Sequence, residues 1–116
     1  PLGRAYEQFG DMVTALAPFR YSVVIENCIE PHYFTEKILN CLACKTIPIY
    51  WGHESVKQYF DTSNWLFFND LEDGYEKIKL ASSGEHIVSQ EKIHENYVQA
   101  KSYKNLYKKM SEKITE

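Results

Sequence analysis

At 116 residues, 44% hydrophobic and 15% aromatic, the chain has the length of one domain and enough apolar material for its own core. Its 13 basic and 16 acidic side chains give a formal net charge of −3, with lysines interleaved among glutamates, so there is no basic field for a nucleic-acid backbone. No apolar run approaches the roughly 18–20 residues that span a bilayer and the start does not have a signal-peptide layout, so the sequence reads as soluble and cytoplasmic. Pro1 in place of Met leaves open that the chain is a piece of a longer protein.

Tyr6, Phe9, Met12, Val13 and Leu16 recur at helical spacing and Pro18 closes them, which predicts an opening amphipathic helix. Tyr21-Ser22-Val23-Val24-Ile25 is a β-branched run too short for a helix and predicts a strand buried on both faces. A polar connection, ENCIEPHYFTEK over residues 26–37, follows. Phe34, Ile38, Cys41, Leu42 and Lys45 then mark one helix face, with Thr35 as N-cap.

Residues 46–50 predict a second strand, in which the missing N–H of Pro48 suits a strand end or a bulge. Trp51-Gly52-His53 turns the chain, residues 55–60 form a short helix or turn, and residues 65–68 a third strand. Asp70 caps the next helix, with acids in its first turn where the dipole favours them; capping suits this D-x-E-D pattern better than metal binding does. Ser82-Ser83-Gly84 ends that helix. In the last one, Ile93, Tyr97, Ala100, Tyr103, Tyr107, Met110 and Ile114 step by three or four, a stripe that packs on the sheet and whose far end is long enough to reach a second domain or subunit.

Strand and helix alternating in so short a chain imply one domain over residues 1–116, an α/β, doubly wound parallel sheet with right-handed crossovers. Ligands of such sheets bind beyond the carboxyl ends of the strands, where residues 26–37 lie. Cys28, Cys41 and Cys44, an odd number, read as reduced, buried structural thiols. Cys41-x-x-Cys44 matches a redox or zinc half-motif, but it has no second pair or His at ligand spacing.

The polar connection has its own chemistry. A helix starting near Thr35 offers unpaired N–H groups and a positive dipole end, a site for phosphate. Lys37 opposes that dipole, so a bound anion would account for it. Glu36 points about 100° away around the helix, free to accept hydrogen bonds from a sugar diol. The connection contains no glycine, so phosphate binding has to lean on Lys37 with Tyr33 or Thr35 as hydroxyl donors. On purely structural grounds Tyr33 covers the sheet edge, Glu26 and Asn27 bond the turn backbone, and His32 is simply exposed.

Val24-Ile25-Glu26-Asn27, then Tyr33-Phe34-Thr35-Glu36-Lys37, then Ile47-Pro48-Ile49-Tyr50-Trp51-Gly52 resemble in order and spacing the signature of the alpha-1,3-fucosyltransferases, glycosyltransferase family ten. The resemblance implies the Rossmann-like, C-terminal half of a two-domain GT-B enzyme. It implies that Glu36 holds the ribose hydroxyls of GDP-fucose, Lys37 contacts the diphosphate and stabilises the leaving group, Asn27, Tyr33 and Thr35 line the donor pocket, and Glu26 supports the turn. It further implies inverting transfer to a glycan hydroxyl without a metal or other cofactor. The family's general base lies in an N-terminal domain, so this chain alone is expected to transfer little or nothing. Two other readings are a non-catalytic binding or assembly module derived from such an enzyme, forming a homo-oligomer through the last helix, and a thiol oxidoreductase using Cys41 and Cys44.

Overall fold

The computed structural model describes residues 21–115, apart from the side chains at positions 107, 111 and 113–115. The predicted opening helix lies outside the described residues, as do the side chains of Tyr107 and Ile114. The elements run β1 (Tyr21–Ile25), α1 (Glu36–Ala43), β2 (Ile47–Trp51), a 3-10 turn (Glu54–Gln58), β3 (Leu66–Phe67), α2 (Leu71–Ser83) and α3 (Gln90–Thr115). Among these, β1, β2 and β3 form one parallel sheet in that order, with Tyr21 opposite Ile47, Ile25 opposite Trp51, and Tyr50 opposite Phe67.

The pleat sorts the strand side chains onto two faces. Val24 and Tyr50 join Ile38, Leu39 and Leu42 of α1 and Ala100 of α3 in one apolar cluster. Tyr21, Ile47, Ile49 and Leu66 face the other way, onto Ile78 and Ala81 of α2. Helices therefore cover both faces, as the doubly wound reading requires. Ala100 is fully buried, and its small side chain lets α3 lie close on α1.

Pro48 sits inside the central strand, not at its end. The Trp51 carbonyl bonds back to β1 through Glu26 N–H and the Tyr50 carbonyl to β3 through Phe68 N–H, so Pro48, two residues before Tyr50, faces the β3 side. β3 begins only at Leu66, opposite Ile49, so no ladder bond is lost there. The Asn64 carbonyl, just short of β3, is bonded instead to His86 Nε2 at 2.7 Å.

Three expectations are corrected. β1 is buried at Tyr21 and Val24 but only half-buried at Ser22, Val23 and Ile25, because it pairs on one side only among the described strands. Of the cysteines only Cys41 is buried; Cys28 is half-buried and Cys44, the residue that ends α1, is exposed. Burial pushes the Cys41 thiol up to about 11, opposite to what a reactive thiolate needs. Met110 is 53% exposed although it falls on the predicted stripe. The eight residues of α1 extend about 12 Å whereas α3 runs about 39 Å, so the far end of α3 passes beyond its partner.

α3 is pinned at its near end by polar contacts. Asn96, 3% exposed, accepts from Trp65 Nε1 at 2.9 Å and donates to the Asp61 carbonyl at 3.0 Å. Lys92 Nζ meets Asp61 Oδ2 at 2.6 Å. Hydrogen bonds from Lys92 and Ser63 hold the Asp61 carboxyl down at about 2. A depressed carboxylate stabilises the fold at pH values above its unfolded value of about 4, and that stability is lost as pH falls through the folded value. Asp61→Asn is therefore expected to flatten the loss of stability between about pH 4 and pH 2 in acid titrations followed by circular dichroism.

Candidate functional site

β1 ends at Ile25, and the next side chain, Glu26, is 1% exposed. A carboxylate in so dry a place needs donors, and the following turn supplies them. Thr35 N–H donates to Oε2 at 2.6 Å and the Thr35 hydroxyl donates to Oε1 at 2.8 Å. Thr35 Oγ1 in turn accepts from Lys37 N–H at 3.2 Å, the N-cap bond that starts α1. The hydroxyl expected to meet phosphate thus has its one proton committed to Glu26, and Thr35 acts by setting the first helical turn.

Lys37 reaches back over the end of β1. Its Nζ donates to the Ile25 carbonyl and to Asn27 Oδ1, each at 3.1 Å. These acceptors offset the unfavourable position of a cation in the first turn of α1. They use two of the three ammonium protons and leave one for a ligand. Glu36, next to it, is exposed, and its carboxylate has no hydrogen bond or ion pair with any described residue. Tyr33 is half-buried beside Asn27; burial, with Cys28, Glu26 and Glu30 nearby, pushes its phenol above the usual value, so the hydroxyl stays protonated and able to donate.

The rest of the connection is built by a tight turn in which Tyr33 N–H bonds the Glu30 carbonyl at 3.1 Å. Pro31 presets the first central position and His32 takes the second with φ at 62°, the type II pattern, a left-handed position where glycine is usual. His32 is not merely exposed. Its N–H donates to Ser55 Oγ at 2.6 Å and its Nδ1 lies 2.9 Å from the Tyr59 hydroxyl, which fastens residues 26–37 to the segment after β2.

That segment carries features that sequence reasoning passed over. Tyr50 is fully buried and its hydroxyl has no hydrogen-bond partner among the described residues. Burial, reinforced by the Glu26 carboxylate, raises its pKa and keeps it neutral. A Cβ on Gly52 would come within 2.7 Å of the tip of this ring, so any larger residue there forces the ring to shift. Beyond Gly52 a cleft of about 430 Å³ opens, lined by Ile29, Gly52, His53, Glu54, Lys57 and Asn69 together with the two phenylalanines of the β3 end. Residues Asn27, Tyr33, Thr35, Glu36 and Lys37 do not line it; Ile29, in the same connection, joins the two regions. The Trp51-Gly52-His53 turn was the one sequence signal that could have pointed there.

The profile described as Glycosyltransferase family 10 (fucosyltransferase) C-term matches residues 3–115. The chain belongs to this family. It is 33% identical over 63 residues to alpha-(1,3)-fucosyltransferase FucT of Helicobacter pylori, a stretch covering 54% of the chain and 13% of that protein. Against alpha-(1,3)-fucosyltransferase B of Drosophila melanogaster the identity is 25% over 92 residues, covering 78% of the chain and 20% of that protein. The chain thus spans only a fraction of the length of these curated relatives. No solved structure matches it. A parallel sheet covered by helices on both faces is the Rossmann-like architecture expected of this C-terminal region of family 10.

Removing the Glu26 carboxylate would leave the Thr35 N–H and hydroxyl without their acceptor. Glu26→Ala is expected to lower the unfolding free energy by about 2–3 kcal/mol in urea titrations. Gly52→Ala forces the buried Tyr50 ring to move and is expected to cost about 1–3 kcal/mol. Tyr50→Phe, which removes only an unpaired hydroxyl, is expected to hold or raise stability in the same assay.

Proposed function

We propose that the chain is the donor-binding domain of a fucosyltransferase that takes GDP-fucose and delivers fucose, with inversion, to a hydroxyl of a glycan acceptor. The observation that carries this reading is Lys37 Nζ, held by Ile25 O and Asn27 Oδ1 with one proton unused, at the carboxyl end of β1 and the start of α1. A diphosphate placed there meets a full positive charge and the positive end of the helix dipole. Glu36, exposed and unpaired among the described residues, accepts from the two ribose hydroxyls. Asn27 and the Tyr33 hydroxyl border the same position.

In the reaction the acceptor oxygen forms its bond to the anomeric carbon from the face opposite the phosphate. The bond from that carbon to phosphate oxygen breaks, and its electron pair leaves with GDP. Charge grows on the leaving diphosphate as the sugar passes through an oxocarbenium-like state, so Lys37 acts more strongly in the transition state than before it. Glu26 and Thr35 contribute by fixing where the first turn of α1 starts. The base that receives the acceptor proton comes from a second domain of the enzyme.

Titration with GDP, followed by backbone amide resonances and by calorimetry, tests the reading. GDP is expected to perturb residues 26–37, and Lys37→Ala and Glu36→Ala are each expected to weaken binding by about tenfold or more. Unperturbed resonances across 26–37 in millimolar GDP would overturn it.

A further inference from the structure

The segment after β2 meets the polar connection on both sides of Tyr33. On one side, His32 N–H donates to Ser55 Oγ at 2.6 Å and His32 Nδ1 lies 2.9 Å from the Tyr59 hydroxyl. On the other, the Phe34 ring packs edge-on against the Tyr59 ring, with centroids 5.1 Å apart. Tyr59 therefore contacts both neighbours of Tyr33, by a polar bond before it and an apolar contact after it.

Both anchors are firmly seated. Ser55 is buried, and its N–H donates to His53 Nδ1 at 3.0 Å. Tyr59 N–H bonds the Val56 carbonyl at 3.0 Å where the 3-10 turn ends, and the next residue, Phe60, is buried against the rings of Phe34, Trp65 and Tyr103. The Tyr59 hydroxyl can donate to a neutral His32 ring or accept from a charged one, so the bond survives either state of the imidazole.

These contacts do something that the start of α1 does not require. Glu26 and Thr35 already fix the first turn of that helix. His32 is exposed and sits at a φ of 62° that side chains rarely adopt, so its conformation is held by the tertiary bonds around it. What Ser55 and Tyr59 add is the placement of residues 32–34. The Tyr33 phenol is hydrogen-bonded to Asn27, whose Oδ1 accepts from Lys37 Nζ at 3.1 Å, so the tyrosine and the lysine meet at one amide.

We infer that Ser55 and Tyr59 are positioning residues for donor binding, acting through His32 and Phe34 to set the Tyr33 phenol beside the diphosphate position. The inference rests on the proposed nucleotide-sugar reading and deepens it by assigning residues outside the 26–37 connection. A phenol fixed in advance spares the bound state the entropy of fixing it, so the two residues contribute to affinity and not to folding alone.

Calorimetric titration of the full chain with GDP tests the assignment, with amide spectra showing that each variant is folded. Ser55→Ala and Tyr59→Phe are each expected to weaken GDP binding by about three- to tenfold. In a Tyr33→Phe background neither is expected to weaken it further, because the group they position has gone. Without nucleotide, Tyr59→Phe is expected to shift the Tyr33 ring resonances. Unchanged GDP affinity in both variants, or losses that add in full to that of Tyr33→Phe, overturns the positioning role and leaves the nucleotide reading in place. A parent chain that binds no GDP, although Tyr59→Phe still shifts the Tyr33 ring, overturns the nucleotide reading and with it any part for these residues in donor binding.

Discussion

The carboxylate of Glu26 is the constraint from which the geometry of the strand ends follows. It is nearly inaccessible to water, and burying a charge is tolerable only where donors converge on it. Both donors come from a single residue, Thr35, nine positions later. The intervening chain must therefore leave the sheet, turn and come back so that Thr35 N–H and hydroxyl face the end of β1. The same hydroxyl caps α1, so the start of the helix is referenced directly to the strand. Asp could start a helix, but its carboxylate could not also donate to Glu26; the Thr35 hydroxyl does both through one atom.

Once Thr35 is fixed, Lys37 has little freedom in where its stem begins, and its ammonium finds the Ile25 carbonyl and Asn27. The unfavourable dipole position of this cation is answered by groups at the end of the strand rather than by a carboxylate. An ion pair would have neutralised it and lowered its attraction for an anion; carbonyl and amide oxygens hold it in place and leave its charge intact. The type II turn at Pro31-His32 then ties the outer side of the loop to Ser55 and Tyr59, so the connection is braced at both ends.

The order of strands and helices was legible because hydrophobic periodicity and caps acted together: the β-branched run of β1, the Thr35 and Asp70 caps, and the stop at Gly84, which takes a left-handed φ of 76°. Where local pattern competes with pairing, reading it failed. Pro48 suggested a strand end because a single sequence does not show which side of β2 lacks a neighbour at that level. Residues 65–68 suggested a full strand, yet β3 has two residues, since Trp65 N–H is taken by the Thr62 carbonyl in a turn. In the site, Glu26, Glu36 and Lys37 stood out as charges in an unusual place. Lys57 and Glu54 did not, because a short helical turn on a surface ordinarily carries such charges; only the fold shows them lining one cleft.

Tyr50 shows how these parts depend on each other. Its ring fills the space between β2, Trp65 and Phe67, and its hydroxyl end passes beneath Gly52, within the field of Glu26. Apolar packing alone would be served by phenylalanine, without the cost of an unpaired hydroxyl. Glycine at 52 spares the tyrosine ring a clash because the tyrosine reaches so far, and Gly52 itself lines the cleft. The polar turn after β1 and the open turn after β2 are thus two sides of one packing problem, the fitting of a buried charge and a buried ring under the carboxyl end of a parallel sheet.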